Sequence, residues 1–177
     1  DHEHESVSKT LEYAFDDACI ARYASAHDRP DLAARFAKRA ASWKNLAHPE
    51  TGFIQAKRQG AWVEGFDPRE VNFNFTEANG WQYLFAPVHD VAGQRDILGG
   101  DEGYLARLTA LFEAPIQTTG RVQPDITGLI GQYAHGNEPS HHVAYLATYS
   151  GDPGATAERV SALCRDMYAN TPDGLCG

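Results

Sequence analysis

The chain has 177 residues, 42% of them hydrophobic and 22% charged, with a formal net charge of −9. That is enough sequence for one domain with a sizeable core, at the composition of an ordinary globular protein. The acidic balance excludes a nucleic-acid partner, because phosphate binding needs a basic face, and no apolar run is long enough to span a bilayer.

No signal peptide is visible in the first residues, Asp1 to Glu5 being charged or titratable, and a processed chain or an excised piece would read the same. The cysteines are Cys19, Cys164 and Cys176. An odd count gives no closed disulfide framework. Cys19 and Cys164 fall in helical patterns, which predicts small buried thiols. A Cys164–Cys176 bridge stays open for an oxidising compartment, so cysteine usage does not fix the compartment.

From Ser8 to His27 the pattern is helical, with Leu11, Phe15, Ala18 and Ile20 as its apolar stripe and Asp16-Asp17 in mid-pattern, where they read as a solvated face or, for one of them, as pointing into a cleft. Pro30-Asp31 opens a second helix, in which Leu32, Phe36, Ala40 and Trp43 face inward and Arg35, Lys38 and Arg39 face water. Between His48 and Asp67 two short strands flank the turn Lys57-Arg58-Gln59-Gly60, a β-hairpin insertion on a helical body. A helix is expected from Glu77 to Ile97, bent or broken into two pieces at Pro87 and ended by Gly99-Gly100. Another runs from Asp101 to Glu113. Residues 116–131 read as loop, Val143 to Tyr149 as an apolar helix, and Ala155 to Tyr168 as the last helix, before the turn that ends at Gly177. The fold class is therefore mainly α, a bundle or an arc of an α/α toroid. Residues 1–177 read as a portion of one domain, an excerpt of a longer chain.

Two stretches carry chemistry. In Asn72 to Val91, Thr76 stands where a helix N-cap would stand, with Glu77 in the first turn and Trp81, Tyr83 and Phe85 following. A carboxyl among aromatic rings is desolvated, which favours its protonated form and suits a proton donor; the alternative is an ordinary capping Glu beside a core cluster. The second stretch is His135-Gly136-Asn137-Glu138-Pro139-Ser140-His141-His142. Asn, Glu and turn carbonyl oxygens suit a hard cation such as calcium. His135, Glu138 and His142 form an alternative zinc set. The plain alternative is that the histidines cap and pack while Glu138 complements the helix dipole.

Thr76-Glu77-Ala78-Asn79-Gly80-Trp81-Gln82-Tyr83 with His89-Asp90-Val91, the run Gly128 to His142, Ser8 to Asp17, and Met167 to Leu175 together resemble glycoside hydrolase family 92 over nearly the whole chain. The resemblance implies a calcium-dependent, inverting exo-α-mannosidase with an (α/α)6 barrel preceded by a β-sandwich domain. It implies a secreted, periplasmic or cell-surface location and mannose-containing glycans as the substrate. It implies Glu77 as the general acid, Asn137 and Glu138 at the calcium, and Trp81, His135, Glu138, His141 and His142 around the substrate. Asp16-Asp17 match a recurrent structural pair. The chain departs from the family pattern at Pro87-Val88-His89-Asp90, at Ala18 and around Pro153-Thr156. The family's general-base aspartates fall beyond Gly177, so the 177 residues alone are expected to be inactive. A non-catalytic carbohydrate-binding domain and a zinc-binding helical domain are the rival expectations.

Overall fold

The computed structural model describes residues 3–176, so Asp1, His2 and Gly177, the outermost residues of the terminal segments read above, lie outside the described residues. Helix α1 spans Ser6–Ala26 and α2 spans Pro30–Ala40. Pro30 opens α2, where its missing N–H costs nothing, and a 3₁₀ turn, Ala41–Leu46, carries the chain on to a buried Trp43. The two helices pack on one another as the expected hairpin. The buried stripe of α1 is shifted from the expected one. Val7, Leu11, Ala14 and Ala24 are buried, while Phe15 and Ile20 are exposed. Asp17 is not on a wet face: it is buried and takes a bond from Arg39 Nε at 2.9 Å. The α1–α2 seam runs through Asp17, and a guanidinium from the second helix makes its burial tolerable.

The β-hairpin forms as Lys57–Arg58 (β1) and Ala61–Trp62 (β2), in antiparallel register Lys57↔Trp62. Strand β3 (Glu70–Val71) pairs in parallel with β4 (Thr119–Gly120), and β5 (Leu129–Ile130) pairs antiparallel with β6 (Tyr133–Ala134). Helix α5, Gly100–Glu113, buries Tyr104, Leu108 and Leu111. It supplies the floor of a cluster with Phe53, Leu84, Phe85, Tyr133, Val143, Leu146 and Leu163. Each such fully buried side chain contributes roughly 1.5–3 kcal/mol relative to exposure. A second cluster, Val7, Leu11, Trp43, Ile54 and Phe75, ties α1 to the hairpin region, and Phe66 packs against both.

The segment expected as a helix from Glu77 to Ile97 is broken in two around Pro87, as one expected outcome had it, but its first piece starts later and is short. Asn79, not Thr76, is the N-cap of a short helix α3, Gly80–Tyr83. Its side chain accepts from Trp81 N (3.1 Å) and Gln82 N (3.2 Å), and the Gln82 side chain accepts from Asn79 N. Two donors and a return bond outcompete a lone Thr hydroxyl. Pro87 then forbids the helix from running on. After a 3₁₀ turn at Val88–Asp90, Asp90 caps a new helix, α4 (Val91–Ile97), by accepting from Gly93 N at 2.9 Å. The apolar segment expected as a helix from Val143 is a 3₁₀ helix that begins earlier, Glu138–Ser150, with Pro139 in its first turn. Helix α6, Pro153–Asp166, is capped by Asp152. Cys19 and Cys164 are exposed, correcting the buried-thiol expectation, and Cys164 and Cys176 are unbridged.

Candidate active site

The turn that carries Glu77 is built by three tethers. Ahead of it, Thr76 N donates to Ser8 Oγ at 2.8 Å, and Val7 N donates to Asn74 O at 3.2 Å, so the start of α1 is stitched to residues 74–76. Behind it stands the buried Asn79 cap. Across from it, Asn137 Nδ2 donates to Glu77 O at 3.5 Å. Between these tethers Glu77 adopts φ +52°. A non-glycine residue in the left-handed region costs of order 1–3 kcal/mol and persists only where its surroundings over-determine it.

The second stretch is shaped by close backbone approach. His135 N donates to Gly128 O (3.1 Å) and Gly136 N donates to Thr127 O (3.1 Å). A side chain at Gly136 would collide with Thr127. This folds the Asn137–Glu138 turn over toward Glu77. Glu77, Asn137, Pro139, Ser140 and His142 then line one cleft of about 560 Å³, a volume in the range of small-molecule sites. Its opposite wall comes from α1, through Ser8, Lys9, Glu12, Tyr13 and Phe15, and from Tyr83. The exposure of Phe15 follows from this place in the cleft wall. These α1 residues are more than 60 positions from Glu77 in sequence, and none of them was among the expected site residues.

The expected site residues divide. Glu77, Asn137 and His142 share the cleft. Glu138 is exposed beside Asn137. Trp81 faces the core, edge-on to Phe53 at 4.8 Å between centroids, and Phe85 is fully buried against Tyr104. Of the three aromatics expected to desolvate Glu77, only Tyr83 lines the cleft, and the Glu77 carboxyl is exposed. His135 and His141 stack at 4.7 Å outside the cleft lining, and His141 Nε2–H donates to His135 O at 2.9 Å. They support the turn from beneath.

Electrostatics fit this division. Burial pushes the His142 imidazole below its usual range, against its bonds to the Phe85 and Pro139 carbonyls. Its Nε2–H donates to Phe85 O at 2.9 Å. Burial, then the neighbouring His141, lowers His135, whose two ring nitrogens meet Tyr133 OH (2.8 Å) and Tyr168 OH (2.6 Å). Burial raises the Tyr83 phenol, outweighing its bonds to Ser8 and Thr76, so it stays protonated at neutral pH. Burial also raises the Asp90 carboxyl. Lys44, Gly93 N–H and the Trp43 indole outweigh that and hold it below the usual carboxylate range. Asp90 thus has a structural task.

His135, Glu138 and His142 do not form a zinc site: the histidine nitrogens above are spent on tyrosines and a carbonyl. Among the described residues no three His, Cys, Asp or Glu side chains gather in metal-binding range. The Asn137 carboxamide and Glu138 carboxylate, adjacent on an open turn, offer hard oxygens of the kind calcium takes. They fit as part of a larger donor set.

The model of the glycosyl hydrolase family 92 catalytic domain matches residues 1–177. A family GH92 α-mannosidase from Bacteroides thetaiotaomicron, solved in complex with mannoimidazole, superposes with a TM-score of 0.90 at 37% identity, over 99% of this chain and 24% of that one. A family GH92 inverting mannosidase from the same organism gives 0.85 at 34% identity, over 99% and 25%. A curated relative from Arthroderma benhamiae, described as an uncharacterized secreted glycosidase, is 24% identical over 97% of this chain and 23% of its own length. The chain spans about a quarter of the length of each of these relatives.

Proposed function

Because the chain belongs to glycosyl hydrolase family 92, we propose that it forms part of the (α/α)6 catalytic toroid of an exo-acting α-mannosidase that inverts the anomeric centre. The substrate is the terminal α-linked mannose of a glycan. One observation carries this reading: Glu77 and Asn137, 60 residues apart, line a single cleft and touch through Asn137 Nδ2 and Glu77 O.

In this mechanism Glu77 protonates the departing glycosidic oxygen. Its carboxyl is presented into the cleft by the left-handed turn, and its exposure there leaves room for the sugar. Inversion needs a second carboxylate about 6.5–9.5 Å away, with a water between the two. We assign that base to a part of the longer protein outside residues 1–177, so these residues alone do not turn over. Asn137 and Glu138 contribute side-chain oxygens to a calcium ion. When bound, calcium supplies an electrostatic template for the sugar hydroxyls. Neutral His142 and protonated Tyr83 form polar walls without adding charge beside Glu77. Trp81 backs the turn from the core side, and the His135–His141 stack backs the Asn137–Glu138 turn. We further propose a preceding β-sandwich domain and an extracytoplasmic location, the latter supported by a relative described as secreted.

The test uses the full-length protein. Glu77→Gln should lower turnover of an α-linked mannobiose by about 10²–10⁴-fold, while hydrolysis of a dinitrophenyl α-mannoside, whose leaving group needs no proton, changes little. Chelation should abolish activity and calcium should restore it. Unchanged mannobiose turnover in Glu77→Gln, or restoration by zinc and not calcium, would overturn the proposal.

A further inference from the structure

The strained turn at Glu77 is open to solvent on its cleft side, so something on its other side must hold it. That support is a pair of fully buried amides. Asn79 and Gln132 are both 0% exposed, and Asn79 Nδ2 donates to Gln132 Oε1 at 2.8 Å. The remaining polar atoms of the pair are also engaged. Asn79 Oδ1 takes Trp81 N and Gln82 N, and Asn79 Nδ2 also reaches Arg69 O at 3.4 Å. Gln132 Nε2 donates to Pro115 O at 2.6 Å and to Gln117 O at 3.4 Å.

Two amides buried without water are costly unless every group is paired; here the pairing is complete, which fixes both amide orientations and leaves no slack. Gln132 is itself pegged. Its N donates to Leu111 O at 2.8 Å, at the end of α5, and it sits in the β5–β6 turn behind Gly131. A continuous path therefore runs from α5 through Gln132 and Asn79 to the residue two positions away that faces the cleft.

We propose that Gln132 is a positioning residue for Glu77. Through Asn79 it fixes the turn that aims the carboxyl at the glycosidic oxygen. This rests on the reading of Glu77 as the general acid. Gln132 belongs to neither the cleft lining nor the metal-type donors, and its direct bond to Asn79 gives it a route to acid placement. Displacement of a catalytic group by about 1 Å costs on the order of 10²-fold.

The experiment compares full-length variants on mannobiose and on dinitrophenyl α-mannoside. Gln132→Met removes the amide at similar length. Asn79→Asp keeps the acceptor that caps α3 but loses the donors to Gln132 and Arg69. Asp152→Ala, which uncaps α6 by removing its bond to Ala155 N, serves as a control that lowers stability only. Both amide variants should lower kcat on mannobiose about 10²-fold, with less than about fivefold change on the dinitrophenyl substrate and KM held. The control should lower the melting temperature without moving that ratio. Should Gln132→Met fail to fold, Asn79→Asp alone decides. An unchanged ratio in the amide variants, with Glu77→Gln still collapsing it, refutes the coupling and leaves the acid standing. An unchanged ratio in Glu77→Gln itself removes both.

Discussion

Lowering the pH from 7.5 to 5.5 should destabilise this domain through two histidines. His142 and His135 are both held below the usual imidazole range by burial, and their ring nitrogens are committed to Phe85 O and to Tyr133 and Tyr168. The unfolded chain protonates them near the reference value of about 6.5. With folded values depressed, the unfolded state binds more protons between the two values, so stability is fully present above about 6.5 and falls as the pH drops below it. Whatever the size of the depression, the reference value of about 6.5 caps the loss over this interval at about 1.4 kcal/mol per histidine and about 2.7 kcal/mol for the pair. At a urea slope of about 2 kcal/mol/M, the midpoint should fall by at most about 1.4 M. The assay is urea unfolding at pH 7.5, 6.5 and 5.5. His142→Gln, which still offers an N–H toward Phe85 O but does not titrate, should remove about half the slope, and adding His135→Gln most of the rest. A midpoint that is flat or rises over this interval, or a slope identical in all three proteins, refutes the reasoning.

Asp90→Ala should cost about 2–3 kcal/mol, since it uncaps α4 and strands the indole N–H of buried Trp43. The Asp90 carboxyl is depressed, so its stabilisation is present above about pH 3.8 and lost as the pH falls through its folded value; acid titration of the unfolding midpoint checks both. Gly131→Ala should cost about 2–5 kcal/mol in urea unfolding, combining a left-handed backbone with a methyl driven into the Leu111 and Phe112 carbonyls. A loss under about 0.5 kcal/mol would mean that the β5–β6 turn yields freely, a change typical of uncommitted surface positions.

Local information in the chain was sufficient for much of this protein. Pro30 and the periodic apolar residues after it specify α2, Lys57 to Gly60 specifies a hairpin turn, and Gly99-Gly100 separates α4 from α5, because each depends on neighbours within a turn or two. The Gly136–His142 run and the Thr76–Tyr83 segment stood out as candidates by residue type and by the family resemblance, and both contribute residues to one cleft. What sequence could not decide is which of competing local options wins. Thr76 and Asn79 are both good caps three residues apart. Asn79 prevails because its other face meets Gln132 from beyond α5, a partner 53 residues away. Trp81 and Phe85 stand in the same short stretch as Glu77, but they pack on Phe53 and Tyr104, leaving the Glu77 side chain exposed. Asp17 looked like a wet residue until α2 brought Arg39 over it. The cleft itself, with α1 as one wall and the Asn137 turn as another, exists only through long-range packing, since surface shape is set by which elements meet and not by any one element's pattern.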